Sequence, residues 1–162
     1  MHFSALEEYG LRCVLQLARH HEEQALTARE ISERELISLD YVHKLLGVLK
    51  RGGLIESTRG IKGGFRIVRP PSEITVFEVL QSLSSELNSE GHCGRFDRPD
   101  NPCPRNRACE MKLFWDMVLQ FCEAYGSRIT VQDLIERKVP EVNAQFSKHT
   151  SRNKAVLEVE GV

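Results

Sequence analysis

The sequence predicts a mainly α-helical fold, in which three short helices precede one small β hairpin and a long helix follows it. Two observations carry this prediction. Apolar residues recur at three- and four-residue steps in several stretches, which is typical of amphipathic helices. One glycine-rich segment, residues 58–64, separates two short runs that have the composition of β-strands. With 162 residues, of which 41% are hydrophobic, the chain is long enough to bury a core.

Three amphipathic helices are predicted before the hairpin. The first spans residues 3–20, with an apolar stripe that comprises Leu6, Tyr9, Cys13, Val14 and Leu17. Thr27 and Glu30 have the spacing of a capping box, which opens a second helix expected through Ile31. After a turn at residues 35–37, Ser38 can cap a third helix. The apolar face of this third helix is Tyr41 or Val42, with Leu45, Leu46 and Leu49, and its end is Gly52-Gly53.

The predicted hairpin pairs residues 54–57 with residues 65–68. Pro70-Pro71 ends the second strand, because proline cannot donate a ladder hydrogen bond. Thr75 and Glu78 then repeat the capping-box spacing and start a fourth helix.

A long loop is predicted after the fourth helix. Residues 87–107 hold three prolines and show neither a helical nor a strand period. A long amphipathic helix is expected over residues 108–125, and a last short helix begins at Thr130. Beyond Pro140 the pattern decays into a polar tail, which we expect to be poorly ordered.

Three short helices followed by a hairpin is the element order of a winged helix-turn-helix, whose third helix enters the major groove of DNA. The charge pattern agrees with this interpretation. Between His43 and Arg69 there are seven lysines and arginines against one glutamate, a local charge of +6, although the whole chain has a formal net charge of −1. A local basic surface favours phosphate binding by counterion release. The alternative, in which these residues only solvate a surface, stays open.

The residues expected to contact double-stranded DNA lie at the exposed start of the third helix and in the hairpin. They are Ser38, Asp40, Tyr41, His43 and Lys44 in the helix, and Ser57, Arg59, Gly60 and Lys62 in the hairpin. Arg59 stands at the hairpin tip, where a guanidinium can enter a narrow minor groove. A nucleotide-binding loop is disfavoured, because no Gly-x-Gly-x-x-Gly occurs and a strand follows the glycines.

The cysteines and the apolar runs indicate the compartment. Five cysteines are an odd number, which disfavours a closed disulfide framework. No apolar run is long enough for a membrane span, and the first residues lack the pattern of a secretion signal. We therefore expect a cytoplasmic protein without a membrane partner.

Three of the cysteines suggest a metal site. Cys93, Cys103 and Cys109 lie in the predicted loop and at the start of the long helix, where thiolates suit soft metals. Zinc is the main competing metal, but it is disfavoured because no Cys-x-x-Cys pair exists. A catalytic cysteine that uses His92 as its base is also disfavoured, because no third group would orient the histidine. The structural alternative is that these three thiols have no common function.

The other two cysteines, Cys13 and Cys122, fall on apolar helical faces, so we expect both to fill the core.

The trio needs a fourth ligand, because iron–sulfur clusters and structural zinc usually have four. Three candidates are present. His92 precedes Cys93, Glu110 follows Cys109, and Glu8 lies on the first helix away from its apolar stripe.

Several segments match one known family. They are residues 8–11, 31–34, 37–41, 49–55 and 74–79, with the hairpin segment Ser57-Thr58-Arg59-Gly60-Ile61-Lys62-Gly63-Gly64-Phe65 as the most specific match. Together with the three cysteines, they make residues 1–138 resemble the winged-helix iron–sulfur transcription regulators that include IscR and NsrR.

The resemblance implies a homodimer built on the long helix, and a [2Fe-2S] or [4Fe-4S] cluster bound by Cys93, Cys103 and Cys109. IscR-like members carry a histidine three residues after the last cysteine, but Lys112 stands there, and a protonated lysine has no lone pair for a metal. NsrR-like members instead use a carboxylate from the first helix of the partner subunit, and Glu8 stands at the matching place. Glu8 is therefore the preferred fourth ligand, with His92 and Glu110 as alternatives.

The resemblance also implies a function and a domain organisation. We expect a DNA-binding repressor whose cluster senses redox state, nitric oxide or iron supply, with no catalytic turnover and no small-molecule substrate. Residues 1–71 would form the winged helix-turn-helix, residues 72–138 the cluster loop and dimerisation helices, and residues 139–162 a flexible tail. Two alternatives remain: the cysteines act as a metal-free thiol/disulfide switch, or the chain acts through a protein partner.

Overall fold

The structure of the chain is a computed structural model, which describes residues 4–21, 24–60, 63–84, 103 and 109–138. Six α-helices and one two-stranded sheet are present in the described part. In chain order they are α1 (Ala5–Arg19), α2 (Ala28–Glu35), α3 (Leu39–Arg51), β1 (Ile55–Thr58), β2 (Gly64–Ile67), α4 (Val76–Leu83), α5 (Glu110–Gly126) and α6 (Val131–Glu136). The mainly α-helical fold and the three-helix-then-hairpin order are as predicted.

Hydrogen bonds between side chains and backbone start four of the helices. The predicted capping boxes of Thr27 with Glu30 and of Thr75 with Glu78 both form, and Thr130 with Asp133 caps α6 in the same way. A fourth box, between Ser4 and Glu7, begins α1. Each box satisfies two backbone N–H groups that have no partner within the helix. Local sequence therefore sets these helix starts.

Three expectations about the helices need correction. The second helix does not stop at Ile31 but continues to Glu35. Leu36 then adopts a left-handed conformation with φ of 56° and ends it. Ser38 is the N-cap residue of α3, but its side chain makes no capping hydrogen bond. The long helix begins at Glu110 rather than at residue 108.

The third helix buries the face that its periodicity predicts. Val42, Leu45, Leu46 and Leu49 are fully buried, whereas Tyr41 is only half-buried, so Val42 occupies the core position. Gly53 adopts a φ of 70°, which glycine tolerates without steric cost, and this conformation turns the chain into β1.

The hairpin is antiparallel, and its second strand also pairs with the segment between α1 and α2. Ile55 pairs with Ile67 and Thr58 with Gly64. Leu26 forms a bridge to Phe65, with backbone N···O distances of 3.0 and 2.7 Å. A Cβ on Gly64 would lie 2.6 Å from the Leu26 carbonyl oxygen, so this position requires glycine. The close approach of two backbones, rather than a bound nucleotide, accounts for Gly64.

One hydrophobic core joins the elements. It contains residues of α1, α2, α3 and the hairpin together with Ile74, Val79, Leu83 and Val131. Backbone bonds also link the segments before α4 and α6, where Val76 N–H donates to Ile129 and Val131 N–H donates to Ile74, each at 2.8 Å. The core thus continues past residue 71, where we place a domain boundary, and that boundary stays a prediction.

Most of the predicted loop at 87–107, and the predicted tail beyond Pro140, lie outside the described residues. Among the helices that are described, each is too short or too polar to cross a bilayer.

Candidate nucleic-acid interface and metal centre

The exposed face of α3 carries the predicted DNA-contacting residues of the helix. Ser38, Asp40, His43 and Lys44 are all exposed, and they lie opposite the buried leucines. Tyr41 differs, because its half-buried ring packs beside α1 and also receives the ammonium of Lys44 at 5.8 Å from the ring centroid. We call α3 the recognition helix from here on. The contacts of these five residues with DNA stay a prediction.

The hairpin places its polar residues beside the end of the recognition helix. The Lys50 ammonium donates a hydrogen bond of 2.7 Å to the Ser57 hydroxyl on β1, which connects helix and hairpin. Arg59 and Gly60 are exposed at the turn, and Gly60 has a φ of 111°. The Gly64 N–H donates to the Thr58 hydroxyl at 3.2 Å, which braces the base of the turn. Lys62 lies outside the described residues.

Ion pairs reduce the local charge that the sequence count gives. Arg66 contacts Glu56 across the hairpin at 2.7 Å. Arg69 contacts Glu78 of α4 at 2.8 Å and also donates to the backbone carbonyl of Glu73. Lys44, Lys50, Arg51 and Arg59 are therefore the exposed cations of this segment for which the structure gives no carboxylate partner within salt-bridge distance among the described residues. The charge that can meet DNA is concentrated along the recognition helix and at the hairpin tip.

A chain of contacts connects α1 with the recognition helix. The rings of Tyr9 and Tyr41 meet edge to face, with centroids 6.1 Å apart. The Arg12 guanidinium lies over the Tyr9 ring at 5.3 Å and donates to the Glu35 carboxylate at 2.6 Å. This hydrogen bond raises the pKa of Arg12. The Gln16 amide donates to the other carboxylate oxygen of Glu35, so the buried carboxylate is satisfied on both sides.

Sequence reasoning missed this network. Glu35 appeared only as a turn residue, yet it is 9% exposed and holds the end of α2 against α1. A partial signal exists, since Tyr9, Arg12 and Gln16 recur at three- and four-residue steps and so share one side of α1. Nothing local, however, pairs that side with Glu35, which lies 19 positions from Gln16 and 23 from Arg12.

The proposed metal ligands are only partly described. Cys103 and Cys109 are half-buried, and Cys109 is the N-cap residue of α5. Glu8 on α1 and Glu110 on α5 are both exposed. Cys93 and His92 lie outside the described residues. Within the described part of one chain, no three His, Cys, Asp or Glu side chains lie close enough together to hold a metal ion.

The two remaining cysteines have different environments. Cys13 is fully buried, as predicted, and burial together with the nearby Glu35 carboxylate raises the pKa of its thiol to about 12. The prediction that Cys122 fills the core is wrong for the single chain. Cys122 is half-buried, and α5 contributes no buried residue.

The long helix exposes a row of large apolar side chains. They are Met111, Leu113, Phe114, Met117 and Phe121, and Leu113 is 74% exposed. Phe114 packs on Trp115, and Phe121 stacks on Tyr125, so aromatic rings line the helix. In water such a row is unfavourable unless another surface covers it.

Comparison with known proteins decides the family. Residues 3–137 match the family model described as "Rrf2: Iron-dependent Transcriptional regulator". The chain belongs to the Rrf2 family. It is 30% identical over 136 residues to Protein rrf2 of Nitratidesulfovibrio vulgaris, an alignment that covers 83% of this chain and 87% of that protein.

Solved structures agree with this assignment to the Rrf2 family. IscR of T. potens superposes with a TM-score of 0.65 at 27% identity, over 85% of this chain and 88% of that one. The oxidised form of CymR from Staphylococcus aureus superposes with a TM-score of 0.61 at 25% identity, over 84% and 97%. The resemblance to winged-helix regulators is thus confirmed, and so is the fold class. The chain is a transcriptional regulator of a DNA-binding family.

Proposed function

We propose that this Rrf2-family chain is a cytoplasmic, homodimeric repressor whose affinity for a double-stranded DNA operator is controlled by an iron–sulfur cluster. When bound, such a cluster supplies iron that oxidants and nitric oxide attack and that is lost when iron is scarce. In this proposal the chain binds DNA and catalyses no reaction. The observation that supports this proposal most directly is the contact between Tyr9, the neighbour of the candidate ligand Glu8, and Tyr41 of the recognition helix.

The proposed ligands are of the types that bind the iron of an iron–sulfur cluster. Cys93, Cys103 and Cys109 would supply thiolates, which are the usual ligands of these clusters. Glu8 would supply a carboxylate from the partner subunit, and its exposed position on α1 leaves it accessible to a second chain. An oxygen ligand holds iron less firmly than a thiolate does, so one corner would be labile. His92 and Glu110 remain the alternatives.

The coupling to DNA follows from how α1 is attached. Any displacement of Glu8 moves Tyr9, because the two residues are adjacent on one helix. Tyr9 bears directly on Tyr41, which lies in the first turn of α3, beside Asp40 and Lys44. Arg12 and Glu35 tie the same side of α1 to the end of α2. Two states of α1 would therefore give two positions of the recognition helix, which is the requirement for a switch.

The exposed row on α5 supports the homodimer. The row is five large apolar residues long, and each of them is exposed to solvent in the single chain. A second copy of α5 would bury it, because identical apolar faces pair across a two-fold axis. The Glu8 proposal requires that this pairing also bring α1 of one subunit into reach of Cys109, at the start of α5, in the other.

The decisive experiment measures cluster binding and DNA binding on one sample. The full chain is reconstituted without oxygen, and its iron, acid-labile sulfide and absorption spectrum are determined. DNA affinity is then measured with and without the cluster on a duplex that the protein itself selects from a random library. We expect about a tenfold or larger difference in affinity between the two forms. Absence of iron and sulfide after reconstitution overturns the proposal.

Variants assign the ligands. Cys103→Ser and Cys109→Ser should lose the cluster, whereas Glu8→Ala should retain iron but change the spectrum or shorten the cluster lifetime. Cys122→Ser is the matched control, since Cys122 is also half-buried and is not a proposed ligand. If Glu8→Ala leaves both spectrum and lifetime unchanged, the fourth ligand passes to His92 or Glu110.

A metal-free thiol switch is the second candidate. Two observations favour it: Cys103 and Cys109 are both half-buried rather than sealed in the core, and a solved relative is an oxidised form of CymR. Mass spectrometry with thiol labelling, before and after mild oxidation, distinguishes the two candidates. A reversible disulfide that changes DNA affinity in iron-free protein supports the switch, and unchanged affinity on oxidation excludes it.

A further inference from the structure

Gly47 lies in the middle of the recognition helix, yet the fold does not need a glycine there. Its φ is not positive, unlike that of Gly53 or Gly60. A Cβ added at Gly47 would meet only the guanidinium of Arg51, at 3.6 Å, which is an ordinary van der Waals contact. Gly10 shows the contrast, because a Cβ there would lie 2.4 Å from the Leu83 side chain. Alanine would therefore fit at position 47 without any displacement.

Glycine in a helix interior weakens the helix, since it loses more backbone entropy on folding than any other residue. The recognition helix thus carries a destabilising residue that neither its own backbone nor the packed core requires. Gly47 lies opposite the buried Val42, Leu45, Leu46 and Leu49, so its bare backbone faces outward.

The residues around Gly47 indicate what meets this bare backbone. Positions three and four residues away on a helix are neighbours on its surface. For Gly47 these neighbours are three cations and one histidine, and all four are exposed: Lys44, Lys50, Arg51 and His43. Asp40 is the one acidic residue of the same face, two turns toward the helix start. The patch around the glycine is therefore suited to an anionic partner.

The hairpin extends this patch. Lys50 donates to Ser57 on β1, which holds the ammonium at the junction of helix and hairpin. Arg51 lies along the surface over Gly47, with its guanidinium 3.6 Å from the position of the missing Cβ. A shallow gap at Gly47 is thus bordered by cations on both sides along the helix.

We propose that Gly47 is where a sugar–phosphate strand of duplex DNA comes closest to the recognition helix, with Lys44, Lys50 and Arg51 on the flanking phosphates. The absent side chain lets the strand pack against the helix backbone, and the cations compensate the charge of the phosphates. This inference rests on the proposed DNA-binding role of α3. It adds a position at which the absence of a side chain favours DNA binding.

The test uses Gly47→Ala and Gly47→Leu in the full chain, with a duplex of about 30 base pairs that the unmodified protein selects from a random library. Both variants replace glycine by a better helix former, so the melting temperature should rise by about 2–5 °C or stay unchanged. DNA affinity should fall about fivefold for alanine and at least about fiftyfold for leucine, because each added carbon displaces the strand. Stability and affinity then change in opposite directions, which loss of folding cannot produce.

Lys50→Ala distinguishes an error about Gly47 from an error about the whole DNA interface on α3. Removing this cation should weaken binding and reduce the slope of log affinity against log salt by about one. Gly47→Ala removes no charge, so its slope should equal that of the unmodified protein. If Lys50→Ala behaves in this way while both Gly47 variants bind normally, the inference about Gly47 is wrong and the interface stands. If neither residue affects binding, α3 is not the DNA-binding face and the proposed interface fails with it.

Discussion

Tyr9 of α1 and Tyr41 of α3 meet edge to face, with ring centroids 6.1 Å apart and ring planes at 88°. In this geometry the positive edge of one ring faces the negative face of the other. The Arg12 guanidinium lies 5.3 Å from the centroid of the same Tyr9 ring. Tyr9 is therefore fixed from two sides, and the position of α1 is linked to the first turn of the recognition helix.

The first prediction concerns this tyrosine pair. Tyr9→Ala and Tyr41→Ala should each destabilise the fold, and a double-mutant cycle should give a coupling of about 1 kcal/mol in favour of the pair. Urea unfolding of the four proteins measures it. Tyr9 with Phe65 serves as a control cycle, since Phe65 also packs on the core but belongs to the hairpin bridge. Coupling below about 0.3 kcal/mol would show that the rings only happen to be near each other.

The second prediction compares two ion pairs of similar length but different burial. Arg12 contacts the buried Glu35 at 2.6 Å, and Arg66 contacts the exposed Glu56 at 2.7 Å. Arg12→Ala should cost about 1–3 kcal/mol, because it leaves a buried carboxylate without its cation. Arg66→Ala should cost less than about 0.5 kcal/mol, because water solvates Glu56. Chemical unfolding of both variants is the measurement, and equal losses would contradict the argument.

The sequence predicts those parts of the fold that depend on neighbouring residues. The Thr27–Glu30 and Thr75–Glu78 boxes form because every participating group lies within three residues. The buried face of α3 follows from its periodicity for the same reason. Ser38 marks the limit of this reasoning, since it has the right type and place for a cap but makes no capping bond.

Contacts between distant segments were not predictable in this way. The Leu26–Phe65 bridge joins residues that no local pattern relates, and it is what requires Gly64. Glu35 is buried only because α1 brings Arg12 and Gln16 to it. Cys122 shows the opposite error, because an apolar helical face predicts burial but does not say against which chain. The proposed metal-ligand set also depends on a second chain, because Glu8 would come from the partner subunit.

The third prediction concerns acid. Hydrogen bonds from the Thr27 backbone N–H and hydroxyl lower the pKa of Glu30. A carboxyl whose pKa is lower in the folded state stabilises the fold above its unfolded pKa, and this contribution is lost as pH falls through the folded pKa. Glu30→Gln should therefore reduce stability by about 0.5 kcal/mol at pH 7 and by less at pH 3. Thermal unfolding at both pH values tests this, and a difference that grows toward low pH would have the wrong sign.

The fourth prediction concerns thiol reactivity. Burial and the Glu35 carboxylate raise the pKa of Cys13 to about 12. At pH 8 only about one Cys13 in ten thousand would be a thiolate, and the thiolate is the reactive form. In native protein without metal, iodoacetamide should label the half-buried Cys109 within minutes to hours and leave Cys13 unlabelled, as peptide mass spectrometry can show. Labelling both at comparable rates in native protein, but not faster in denaturant, would contradict the burial of Cys13.

The fifth prediction concerns the apolar row on α5. Leu113 is 74% exposed and lies one turn from Met117, so in a dimer its side chain would be removed from water. Leu113→Lys places a charge where the second helix would pack, and it should increase the dimer dissociation constant at least about a hundredfold. Glu123→Lys introduces the same residue on an exposed part of α5 outside the row and should leave the dimer intact. Sedimentation velocity over a range of concentrations measures both.

The same two variants separate assembly from folding. Leu113 is 74% exposed within one chain, so Leu113→Lys should retain the helical circular dichroism of the unmodified protein while it sediments as a monomer. It should also lose DNA affinity, because two recognition helices on one dimer bind two half-sites and a monomer binds one. A Leu113→Lys protein that stays dimeric would place the interface on another surface. The exposed row would then need a different partner.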